Sequence, residues 1–346
     1  MSGFSIPQKG NMENPTLLEV LTREGVLINV SVRYWRATKK LKAEDLGLDP
    51  GNVTERLISL GHKKLLPAEA LKSFALVESR AHALVEAHTF PFLNGLGHFL
   101  PNTKLEEVNT RLRELEQEFR SAQRSFLERY ADLRKQASAE WLAAASKLVT
   151  DPQRLVATIE ASFPTTDVME RAFGFGVQLF QIRVPESLDL ELIGLGEQQQ
   201  IIQARQEAAH SASRQISQDV QQFVGDCVAA LRQQTAQLCE EMLQSMRSGK
   251  TGTHQRTLNR LVRFIDEFKQ LNFVGDQEME AQLDRVRQEF LQRTAEDYRN
   301  DPGAQGRLQQ GLQGLAQFAS ELAKEDTREL VERFGQMGQR KFHVAA

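Results

Sequence analysis

The stretch TKLEEVNTRLRELEQEFRSAQRSFLERYADLRKQASAEWLAAASKLV, Thr103 to Val149, decides the fold. Its apolar residues Leu105, Val108, Leu112, Leu115, Phe119, Ala122, Phe126, Tyr130 and Leu133 recur at steps of three and four. Such spacing puts them in one heptad-like seam along a helix and calls for a partner to cover it. Charges of mixed sign (Glu106, Glu107, Arg111, Arg113, Glu114, Glu118, Arg120, Arg124) fill the remaining faces, as a solvated helical surface requires. No Pro or Gly interrupts Lys104 to Val149. At 1.5 Å per residue such a helix reaches roughly 70 Å, far beyond the usual globular length.

A second stretch of similar length runs from Glu197 to Met246. Ile201, Arg205, Ala208, Ala212, Ile216, Val220, Phe223, Cys227, Leu231, Leu238, Met242 and Met246 mark its stripe. The Ala/Ser section around Ala208 to Ser213 permits close helix approach. Two struts of matched length are most economically placed antiparallel to each other. The expected fold is mainly α: two long antiparallel coiled-coil-like helices, a small β element and a C-terminal helical bundle.

The intervening segments supply that β element. Pro15 to Glu24 reads as a short helix, and Val26 to Tyr34 alternates as a strand does. Val53 to Leu66 reads ambiguously. Pro67 to Ala87 reads as a helix whose face is formed by Leu71, Phe74, Ala75, Ser79, Ala81, Ala83 and Leu84. His88 to Asn102, HTFPFLNGLGHFLPN, places aromatic residues on either side of the turn dipeptide Asn94-Gly95 and predicts a hairpin. Phe173 to Val184 predicts a strand apolar on both faces, hence covered on both, that pairs with the strand at 26–34. In chain order the expected divisions are 1–102, an N-terminal α+β region with the apolar hairpin; 103–250, the long helical hairpin with a small β insert at 151–196; and 251–346, C-terminal helices. Gly306, Gly311 and Gly314 weaken that last region unless close packing requires them.

Composition narrows the function. A net charge of -3 over 346 residues gives no bulk drive toward nucleic acid. The opening MSGFSIPQKG has no apolar core of a secretory signal, and nowhere do 18 apolar residues run together, so no constitutive membrane span is expected. Cys227 and Cys239 lie 12 residues apart on one expected helix, about 18 Å, too far to pair with each other. Free thiols of that kind suit a reducing cytoplasm. Gly249-Lys250-Thr251 resembles the end of a phosphate-binding loop, but Gln244 stands where its first glycine belongs and a helix, not a strand, precedes it. His88 and His98 flank the hairpin turn without enough ligands for a metal. No nucleophile elbow or HExxH is present. The expectation is a non-enzyme with no cofactor, no metal and no catalytic residues.

Two groups remain as candidate interaction residues. Arg33, Arg36, Lys39, Lys40 and Lys42 form a basic run, read either as a solvated face or as a contact for an anionic partner. Phe90, Phe92 and Phe99 form the apolar hairpin, read either as core or as a docking tip.

The segments VLINVSVRYWRATKK (26–40) and FPTTDVMERAFGFGVQLFQIRVPE (163–186), on either side of the long helix, resemble an uncharacterised bacterial family. Members of that family are often encoded on mobile elements near MoxR-type AAA+ ATPases and von Willebrand A-domain proteins. The resemblance transfers no catalytic residue. It implies an adaptor, substrate or assembly partner of an ATPase system. The leading expectation is therefore a non-enzymatic cytoplasmic helical scaffold or adaptor, with protein partners of that ATPase or von Willebrand A-domain kind and self-association into an oligomer. The alternatives are a nucleic-acid-binding accessory protein, though nucleic acid is the less expected partner, and a helical pore-former that hides an apolar tongue.

Overall fold

A computed structural model describes residues 17–46, 59–181, 198–248 and 254–343. Among them are eleven α-helices and six short strands, so the protein is mainly α. In chain order they are α1 (Leu17–Glu24), β1 (Gly25–Arg33), β2 (Thr38–Lys40), β3 (His62–Lys64), α2 (Lys72–His88), β4 (Phe90–Phe92), β5 (Gly97–Pro101) and α3 (Asn102–Leu148). There follow α4 (Pro152–Glu160), α5 (Thr166–Arg171), β6 (Gly174–Phe180), α6 (Gln198–Ser248), α7 (Gln255–Leu271), α8 (Gln277–Phe290), α9 (Ala295–Asn300), α10 (Pro302–Leu322) and α11 (Arg328–His343). One sheet has the order β4-β5-β1-β6 and a second pairs β2 with β3. Some expectations fall partly or wholly outside the described residues: the first residues of the helix from Pro15, the ambiguous Val53–Leu66, the end of the strand at Val184, the first residue of the stretch from Glu197, and Gly249-Lys250-Thr251.

The chain groups into two compact units, and neither is a continuous run. One takes the residues up to Leu27, His88–Leu105 and those from Leu179 onward; the other takes Ile28–Ala87 and Glu106–Gln178.

In the first unit α6 is the axis. From Val220 to Met246 it buries two adjacent rows, including Phe223, Val224, Cys227, Val228, Leu231, Cys239, Met242 and Leu243. Its principal partner is α10, with α1, α7 and α11 also against it. Gly311 of α10 is needed there, because a Cβ would run into the Phe290 ring; at Gly306 and Gly314 a Cβ would meet nothing within 4 Å. Gly225 on α6 likewise leaves room for the Thr327 hydroxyl, 2.6 Å from where its Cβ would be. A buried ion pair ties the turn between α7 and α8 to α6. Arg232 Nε donates to Asp276 Oδ2 at 2.6 Å and Arg232 Nη1 to the Leu322 carbonyl at 2.7 Å. Asp276 also caps α8 by accepting from Met279 N. Every charge in that knot has a partner, which is the condition for burying one.

The hairpin belongs to this unit's core. Phe90 pairs with Phe99 and Phe92 with Gly97 across β4 and β5. Leu93 and Gly95 take positive φ (39° and 98°) to close the turn. Phe92 lies 4.7 Å and Phe99 5.6 Å from Phe223 by ring centroids, and Phe99 lies 4.9 Å from Phe273.

In the second unit the seam of α3 is covered by short elements. Phe74 of α2 meets Phe119 at 5.4 Å, Phe126 at 5.9 Å, Tyr34 at 5.5 Å and Phe173 at 4.8 Å. Phe175 of β6 meets Phe119 at 5.9 Å. Further along, Tyr130 faces Trp35 and Phe163 and donates its hydroxyl to the Pro164 carbonyl at 2.8 Å. Trp141 donates its indole N–H to the Lys64 carbonyl at 2.9 Å.

Several expectations need correction. Within its own unit each long helix is covered by something other than a second long coiled-coil partner: α10 lies against α6, and the α3 seam is covered by aromatic side chains of α2, β6 and the adjoining turns. In the Ala/Ser section of α6, Ser211 and Ala212 are exposed, and the side chains of Ala208, Ala209 and Ser213 lie outside those described. On α2 the buried row runs through Phe74, Val77, Ala81 and Val85, following Leu71, whereas Ala75, Ser79 and Ala83 face out. The strand at β6 does lie beside β1, but it is not covered on both faces: Val177, Leu179 and Phe180 are exposed.

Phe92 is 1% exposed and Phe99 2%. Replacing Phe92 by Asp, or Phe99 by Asp, removes an aromatic side chain from a packed core and strands a carboxylate there, at a cost of at least about 3 kcal/mol. Thermal melts of the purified chain are expected to show a fall of several degrees for either variant. An unchanged melt would place the hairpin at the surface.

Candidate interaction surfaces

The basic run does not form one patch. Arg36 is committed: it makes two hydrogen bonds to the Glu78 carboxylate, at 2.9 and 2.6 Å, and a further one to the Tyr34 hydroxyl. The Arg36 hydrogen bond, with its charge, holds Glu78 below the usual carboxylate range. Arg33 lies over Gly174, its Nη2 3.1 Å from where a Cβ would sit, so the glycine makes room for the guanidinium. Lys39, Lys40 and Lys42 are exposed. The register of β2 and β3 brings a second basic run, His62-Lys63-Lys64, against them: Thr38 opposes Lys64, Lys39 opposes Lys63 and Lys40 opposes His62. Sequence reasoning missed this run because its pairing depends on a register that alternation in three residues cannot fix. Lys63 turns inward and is neutralised by Asp45 at 2.7 Å, both side chains 5% exposed.

Phe90, Phe92 and Phe99 are buried, so as a docking tip they are withdrawn; Leu96, at the turn, is exposed. His98 Nδ1 sits 3.2 Å from the Thr89 hydroxyl. No group of three or more potential metal ligands occurs among the described residues, and no helix there is long and apolar enough to cross a membrane.

A feature that the sequence had marked only as seam is an open groove of about 670 Å³ between the start of α2 and the middle of α3. Its floor is Ala122, Phe126, Leu133 and Ala137, and its rim carries Glu69, Glu118, Arg129 and Glu140, with Ser121 and Ser125 between. These floor residues continue the three-and-four spacing of the seam. Here, however, Ala122 and Leu133 are only half-buried. The floor runs over sixteen residues of helix, about 22 Å from the first to the last. An apolar floor within a polar rim is the form of groove that an amphipathic helix fits.

A family model, Protein of unknown function (DUF3150), matches residues 22–218, and the chain belongs to that family. No curated protein and no solved structure matches the chain.

Both cysteines are free and buried. Burial, with Glu240 nearby, pushes the Cys239 thiol up to about 12, and burial, with Asp226 nearby, pushes Cys227 well above its ordinary value. A thiolate is the reactive form, so neither is poised as a nucleophile. An unfolded thiol ionises near pH 8.5. The unfolded chain therefore loses these protons first, and the stabilisation they represent is complete below that pH and declines as pH rises toward 12. The expected result is that thiol-reactive reagents label neither cysteine at pH 8 until denaturant is added. Denaturation midpoints are expected to fall between pH 8.5 and 10.5, less so in a Cys239→Ala variant. Rapid labelling of the native chain would contradict the assignment.

Proposed function

We propose that this protein is a non-enzymatic helical adaptor whose α3 groove receives an amphipathic helix of another protein. The observation that carries the reading is the partly uncovered seam: Ala122, Phe126, Leu133 and Ala137 continue a coiled-coil-like spacing, and the groove above them stays open. A helix laid there would complete the seam in the manner of coiled-coil pairing. The partner proposed is a component of an AAA+ ATPase system, the ATPase itself or a von Willebrand A-domain protein encoded beside it, as the genetic setting of the resembled mobile-element family suggests. Self-association through the same groove is the oligomeric form of this reading. The free thiols support a reducing, cytoplasmic setting.

The test places a photo-crosslinking residue at Ser125 in the groove, and in a control at Arg113, which is exposed on the same helix. The full chain is expressed with its neighbouring ATPase and von Willebrand A-domain proteins. Crosslinks to one of these, or to a second copy, are expected from Ser125 and not from Arg113. Ala122→Glu with Ala137→Glu is expected to abolish them by at least about tenfold. A strictly monomeric chain in light scattering, with no crosslink from Ser125, overturns the adaptor reading.

A further inference from the structure

On the reading of the α3 groove as helix-accepting, the charges along its rim select the occupant. Glu118, Arg129 and Glu140 line that rim at successive intervals of eleven residues. Eleven residues make three turns with a drift of about 20°, so these charges share one row, about 16 Å apart. Between them the row is neutral, with Ser121, Ser125 and Gln136. Glu118 is already paired, 2.5 Å from Arg80 of α2. Arg129 and Glu140 are exposed, and within the described residues neither makes a hydrogen bond or an ion pair. Two uncompensated charges of opposite sign thus stand three turns apart beside an apolar floor. On the α2 wall, Ser73, Leu76 and Arg80 share a row, and there Leu76 is 55% exposed.

A row of this kind is complementary to itself. Let two copies of α3 lie antiparallel about a two-fold axis that passes between residues 134 and 135, so that positions equidistant from the axis face each other. Arg129 then faces Glu140 of the second copy, and Glu140 faces Arg129 of the second copy. In the same register Ser125 faces Ala144, Phe126 faces Ala143, and Ala122 faces Lys147, one turn from Glu118. Ala143, Ala144 and Lys147 are all exposed. An axis at Arg129 would instead oppose Arg129 to Arg129 and Glu118 to Glu140, and parallel pairing in register would oppose each charge to itself. We infer that the occupant of this groove is α3 of a second copy, packed antiparallel in the register that joins Arg129 to Glu140 twice. A closed two-fold dimer requires a surface that is its own complement. The α2–α3 pairs of the two copies then form a four-helix arrangement centred on the floor of Ala122, Phe126, Leu133 and Ala137. Affinity comes from that floor and Leu76 leaving water. The exposed ion pairs contribute little affinity, but on the flanks of a helical seam they fix orientation and register.

Analytical ultracentrifugation of the full chain at low salt, where exposed charges are least screened, reads the dimer directly. The native chain is expected to dimerise. Arg129→Glu and Glu140→Arg each set like charge against like at two symmetry-related places, and each is expected to weaken the dimer at least about tenfold. The two substitutions together restore opposite charges and are expected to return the dimer to within about threefold of native. Both positions are exposed, and circular dichroism with a melt establishes that each variant is folded. A second measurement reads the register. A chain carrying Ser125→Cys and Ala144→Cys is expected to form a covalent dimer on oxidation. Ser125→Cys alone is not, because the two copies of that position lie about 28 Å apart. A chain that stays monomeric at about 100 μM overturns the inference. So does a dimer indifferent to both single substitutions, or one that the double substitution fails to restore. A monomer that still crosslinks from Ser125 to an ATPase component removes the second copy alone and leaves the adaptor reading standing.

Discussion

The constraint from which the structure follows is that a 47-residue helix cannot cover its own apolar seam. Helical hydrogen bonds are satisfied internally, but Val108, Leu112, Leu115, Phe119 and Phe126 must leave water somewhere. Their burial is worth about 1.5–3 kcal/mol each, and well-placed aromatic pairs add about 0.5–1.5 kcal/mol. Phe74 takes most of that task in the middle of α3. It touches two seam residues and brings Tyr34 and Phe173 to the same place. One side chain of α2 thus joins the end of β1, the start of β6 and the long helix. On the flank that this cover leaves half-buried, at Ala122 and Leu133, the groove opens.

The first unit solves the same problem differently. There α6 is covered by other helices, and the packing is close enough that Gly225 and Gly311 are needed for side chains to pass. The Arg232–Asp276 pair fixes where the turn before α8 sits against α6. Removing either partner would leave a buried charge, so the knot acts as a specification of geometry more than as a source of stability.

Much of this was legible in the residues. The limits of α3 and α6, the strand at 26–33 and the hairpin at 88–102 follow from periodicity, in α3 also from the lack of Pro and Gly, and in the hairpin from one turn dipeptide. What could not be read was the identity of partners. Periodicity shows that Phe119 needs a neighbour; it does not distinguish a second long helix from Phe74 and Phe175. The face of α2 was misjudged because alanines were given the weight of Val77 and Val85, which carry more apolar area. The exposed end of β6 went unseen because Val177, Leu179 and Phe180 have the composition of a covered strand. The eight candidate residues divide similarly: local charge density marked Lys39, Lys40 and Lys42 as exposed, but the Glu78 partner of Arg36 lies 42 residues away and the basic companions of Lys40 lie on β3. Long-range pairing of that kind leaves no trace in a single local pattern.

The most direct test of this account is amide hydrogen exchange across α3 in a Phe74→Ala variant. If short aromatic elements are what cover the seam, protection of the amides from Val108 to Tyr130 should fall by at least about 3 kcal/mol, the expected cost of emptying a fully buried phenylalanine site. Unchanged protection over those residues would mean that something other than Phe74 and its aromatic neighbours holds α3, and would contradict the central claim.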